Sequence, residues 1–178
     1  MFPFGRKKKE REPQPAQKNE QVVDVKSGSH EDDFFSQLTD IQSGLVELVL
    51  EGLQQVGRAN EPDAIYIYAY LGDDRPIFDG FCLINGTCEE LPDMLGDDLF
   101  GRVFGIALDD LQKLQGVFRD HGQQIPVELR GRYDARTGGY QASFPHDAFD
   151  RGPKDAGIFD RLYGWIDDVN AGKDDLAG

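Results

Sequence analysis

Long apolar runs are missing from this sequence. No stretch approaches the ~20 residues that a membrane-spanning helix needs, and the N-terminus lacks the apolar segment of a secretory signal. A soluble, cytoplasmic protein is the expectation. Nucleotide- and metal-binding signatures are missing too: there is no Gly-x-x-x-x-Gly-Lys-Ser/Thr loop, no Gly-x-Gly-x-x-Gly after a strand, no His-Glu-x-x-His and no paired Cys-x-x-Cys. Acid pairs such as Asp73-Asp74, Asp97-Asp98 and Asp109-Asp110 recur, but none carries the alternating ligand ladder of a calcium loop. No cofactor and no metal are expected.

Cysteine is scarce, and the two residues present flank a turn signal, Asn85-Gly86. In a two-residue hairpin Leu83 faces Cys88 and Ile84 faces Thr87, so Cys82 and Cys88 project from opposite faces of the sheet. A disulfide between them is geometrically awkward. Two reduced thiols are expected.

What the chain does have is apolar material for a core and a strong negative charge. Of 178 residues, 39% are hydrophobic and 11% aromatic, which suits one domain that buries most of its apolar surface. The formal charge is −14. Residues 1–30 hold seven Lys or Arg against four Asp or Glu, so the remainder holds twelve against twenty-nine and carries −17. A field of that sign repels nucleic acid and anionic lipid and attracts basic proteins. The first thirty residues, rich in Pro, Gln, Lys and Glu, read as a disordered basic and polar tail, and 31–178 as the folded domain.

Apolar positions from Phe34 to Val56 recur at helical spacing between Asp33 and Gly57. Ala64 to Leu71 alternates, with Ile65, Ile67, Ala69 and Leu71 on one side and Tyr66, Tyr68 and Tyr70 on the other. Strands follow at Ile77 to Ile84 and Thr87 to Leu91. Pro92 to Gly105, with three glycines, reads as an irregular or partly helical connection, and Asp109-Asp110 as the start of a helix running to His121. Val127 to Tyr133 and Gly139 to Phe144 form a second hairpin, and a Trp165-bearing helix closes the chain. The class is α+β: an antiparallel sheet of about five strands, with helices before, between and after two strand groups.

Candidates for chemistry are few. His30 falls in the tail, His121 at a helix end, and His146 stands beside Asp147 without any signature of an activated nucleophile. Catalysis is not expected. The tyrosine face of the first strand is either covered by a helix or open as a set of aromatic anchors.

The order of these features resembles the YezG-type immunity proteins of bacterial polymorphic toxin systems. The likeness runs over about residues 33–169: the Ile65-Tyr66-Ile67-Tyr68-Ala69-Tyr70 strand, an acidic turn, a Phe-bearing strand, the Leu108-Asp109-Asp110-Leu111 helix, Gly122-Gln123-Gln124-Ile125-Pro126, and a hairpin before the Trp helix. The basic tail, the glycine-rich stretch 96–105 and the single Trp165 depart from it. The resemblance implies a cytoplasmic antitoxin, not an enzyme, that covers the active site of a cognate toxin such as a basic nuclease, as a monomer or weak dimer. Charge places the docking face on Asp73, Asp74, Asp79, Glu89, Glu90, Asp93, Asp97 and Asp98, with Tyr66, Tyr68 and Tyr70 as anchors. The competing readings are an acidic secretion-type chaperone and a small hydrolase using His146 or His121.

Overall fold

The computed structural model describes residues 25–72, 75–146, 157–173 and 176. Helix α1 (Val25–Gln55) leads into three strands, β1 (Ala64–Tyr70), β2 (Ile77–Ile84) and β3 (Thr87–Glu90). Helices α2 (Leu91–Leu95) and α3 (Asp97–Asp120) follow, then β4 (Glu128–Asp134), β5 (Tyr140–Ser143) and α4 (Ile158–Asn170). The five strands form one sheet in the order β3-β2-β1-β4-β5, antiparallel at every pairing. This is the expected α+β class.

Three layers result. The side of the sheet carrying Ile65, Ile67, Ala69, Phe78, Cys82 and Leu129 packs against α1, α2 and α3. The opposite side, with Tyr66, Tyr68 and Phe81, packs against Leu162, Trp165, Ile166 and Val169 of α4. Strand β1 lies at the centre and is buried along its whole length. Gly80 on β2 lets the layers close: a Cβ there would stand 2.4 Å from the Tyr66 carbonyl and 2.9 Å from the Leu91 side chain.

The β2–β3 turn follows the sequence expectation. Leu83 pairs with Cys88 and Ile84 with Thr87, around Asn85 and Gly86 at φ 50° and 82°. No disulfide joins Cys82 to Cys88.

Two boundaries differ from the sequence reading. Helix α1 begins at Val25 rather than Asp33, so residues 25–30 are helical; residues 1–24 of the expected tail lie outside the described residues. The stretch 92–105, expected to be irregular or partly helical, is helical on both sides of Gly96: it holds most of the short α2 and the first turns of α3, a continuous helix from Asp97. Leu99, Val103, Ala107, Leu111, Leu114 and Phe118 form its buried stripe, while Gly101 and Gly105 sit on the exposed side with open space around them. Burial of the stripe outweighs the local cost of the glycines, about 1 kcal/mol each. Asp97 and Asp98, not Asp109 and Asp110, occupy the first turn. No helix among the described residues is long and apolar enough to cross a membrane.

Candidate functional site: the face of the sheet under α4

Register fixes which side chains share the α4 side of the sheet. Tyr66 pairs with Phe81 and Arg132, Tyr68 with Asp79 and Arg130, and Tyr70 with Ile77 and Glu128. Residues directly opposite in an antiparallel pair project to the same face. Aromatic rings and charged groups are therefore interleaved on one surface.

The aromatic part is closed. Tyr66 stacks on Phe81 at 4.6 Å, and Trp165 of α4 meets both edge-on, at 5.5 and 5.1 Å. Tyr66, Tyr68 and Tyr70 are all buried, the covered one of the two outcomes open in the sequence, so their assignment as docking anchors is corrected; α4 packs over Tyr66 and Tyr68. The charged part is closed as well. Glu128 is fully buried and accepts a hydrogen bond from the Tyr68 hydroxyl at 2.8 Å, with Arg130 Nε 3.3 Å from its Oε2. Arg161 of α4 engages both carboxylate oxygens. Burial, then the charge of Glu128, pushes the Tyr68 phenol well above its usual range and keeps it a donor. Arg130 lies over the Trp165 ring at 5.3 Å.

Beyond this sealed centre is a partly open strip. Phe159 and Tyr163, one turn apart on α4, are 51% and 47% exposed. Negative charge from Glu90 on β3, with a smaller contribution from Asp79 and Asp93, raises the Tyr163 phenol above its usual range. Asp79 is itself buried, its Oδ1 accepting the Gly80 N–H at 2.7 Å, and desolvation lifts its carboxyl to about 6. No described Lys or Arg forms an ion pair with Asp79, Glu90 or Asp93.

The eight carboxylates expected to form one docking face are thus divided. Glu90 contacts the Tyr163 hydroxyl, and the charges of Asp79 and Asp93 also reach it. Glu89 pairs in register with Cys82 on the other side of the sheet and is bound by Arg58 at 2.8 Å. Asp97 and Asp98 are exposed in the first turn of α3, where the helix dipole favours them, and Asp73 and Asp74 lie outside the described residues. Sequence reasoning assigned Phe159 and Tyr163 no role, since at helical spacing with Leu162 and Ile166 they look the same as buried positions of the last helix. It missed the Glu128–Arg161 pair because the partners are thirty-three positions apart.

His121 turns Nδ1 to His30 at 3.0 Å, and its Nε2 faces Asp33 Oδ2 at 3.8 Å. His146 is exposed, and Asp147 lies outside the described residues.

Comparison with known proteins finds no protein-family model that matches this chain and no curated protein that matches its sequence.

Proposed function

We propose that this chain is a cytoplasmic immunity-type protein that binds a basic protein toxin and covers its active site. The observation that carries the reading is that exposed Tyr163, with exposed Phe159 one turn before it on α4, stands beside Glu90, Asp79 and Asp93, none of which forms an ion pair with a described Lys or Arg. Exposed aromatics flanked by uncompensated charge are what an interface needs: rings supply contact area at low entropy cost, and the field supplies encounter rate and discrimination. The −17 carried by residues 31–178 extends that field over the molecule. A nuclease must be positive where it holds phosphates, so an anionic surface competes directly with its substrate.

The test uses the protein encoded beside this one, since an immunity protein is useful only if inherited with its toxin. Expression of that neighbour's C-terminal domain alone should arrest growth, and co-expression of this chain should restore it. A neighbour that is harmless, or whose toxicity this chain leaves unchanged, contradicts the proposal.

A further inference from the structure

The chain has three histidines, and two of them meet. His30 on α1 and His121 at the C-cap of α3 are 91 positions apart in sequence, yet their Nδ1 atoms lie 3.0 Å from one another, with the rings edge-on. The His121 side chain is only 8% exposed, packed against the Phe34 ring at 5.2 Å, and its Nε2 faces Asp33 Oδ2 at 3.8 Å. His30 stays open to solvent.

We propose that His30 and His121 form a two-nitrogen site for a divalent late transition-metal ion, with Cu²⁺ or Ni²⁺ fitting best. Neutral imidazole is a favoured ligand of these ions. Metal–nitrogen bonds of about 2.1 Å place two nitrogens about 3.0 Å apart when the bonds meet at right angles, and about 3.4 Å apart in a tetrahedron. The observed spacing matches the right-angled case, which belongs to the tetragonal geometries of Cu²⁺ and Ni²⁺. Asp33, whose Oδ2 accepts a hydrogen bond from Gln37 Nε2 at 2.8 Å, lies 3.8 Å from the nitrogen that would not bind metal, so its charge favours a cation at the His121 ring without a direct hydrogen bond to it. Among the described residues no group of three or more His, Cys, Asp or Glu side chains is placed to hold a metal, so water completes the coordination shell. The ion ties the first turns of α1 to the end of α3, on the side of the sheet away from α4. This site is independent of the proposed docking function.

The experiment is titration of the full chain with Cu²⁺ alone, read by electron paramagnetic resonance and calorimetry. The expected spectrum carries hyperfine structure from two imidazole nitrogens. His30→Ala should lose one nitrogen and at least tenfold in affinity, and His121→Ala should do the same. Asp33→Asn should keep both nitrogens and weaken binding far less than either histidine variant, since Asp33 acts only through its screened charge. His146→Ala should change nothing. Because His30 is exposed, its variant tests the site even if His121→Ala is unstable. Copper binding that is undetectable, or that is indifferent to His30→Ala, reduces the contact to a plain imidazole hydrogen bond and overturns the proposal.

Discussion

Arg161 and Glu128 meet through two pairs of atoms beneath α4, Nε against Oε1 and Nη2 3.3 Å from Oε2. The carboxylate has no exposure to solvent, and it is also held by Tyr68 and flanked by Arg130. Helix α4 is therefore fixed to the sheet by a directional polar contact as well as by Leu162, Trp165, Ile166 and Val169. With this side of the helix turned to the sheet, Phe159 and Tyr163 face outward.

Removing one partner of such a pair leaves an incompletely compensated buried charge, which costs about 3–5 kcal/mol. Arg161→Met should lower unfolding free energy by about that amount. It should also shift the emission of Trp165, the only tryptophan, to longer wavelength as its cover loosens. Adding Glu128→Gln should cost less than the sum of the single changes, because the second substitution removes the charge that the first left buried. Additive losses would mean that the two residues act separately.

Gly101 and Gly105 lie in the second and third turns of α3 on its exposed side, with no neighbouring atom within 4 Å of the place a Cβ would occupy. Alanine at either position should stabilise the protein by about 0.5–1 kcal/mol, and the two should add. Denaturant unfolding checks this. A loss of stability would place a neighbour against that face.

Asp79 gives stability a pH dependence of unusual sign for a carboxylate. Its carboxyl titrates at about 6 when folded and near 3.8 when unfolded, first because of burial. Between those values the native state holds more protons, so this group's contribution falls as pH rises from about 4 to 6 and stays low above. Asp79→Asn removes the penalty while keeping an acceptor for the Gly80 N–H. The variant should match the parent near pH 3.5 and exceed it at pH 7.5 by roughly 1–2 kcal/mol, a figure reduced for partial solvent screening. A difference that does not vary with pH would show that Asp79 ionises normally.

The strands were legible in the sequence because period-two alternation and turn residues act locally. Ile77–Ile84 and the Asn85-Gly86 turn lie where they were expected. Glycines 96, 101 and 105 masked the start of α3, since propensity argues against a helix whose buried stripe is visible only once it has a partner. Residues 25–30 were masked in the same way, by polar composition. At the candidate site, the acids were legible as charges but not as neighbours: Glu89 and Glu90 are adjacent in sequence and on opposite faces in the sheet. The burial of the tyrosines depended on α4, which lies far along the chain.

The central claim is that the strip around Tyr163 docks a basic protein. Its most direct test is the association and dissociation kinetics of this chain with the toxic domain encoded beside it, at low and high salt. Glu90→Lys with Asp93→Lys should slow association about tenfold or more at low salt and much less at high salt, whereas Phe159→Ala with Tyr163→Ala should chiefly speed dissociation. Kinetics that neither pair alters, with tight binding intact, would place the interface elsewhere and contradict the account.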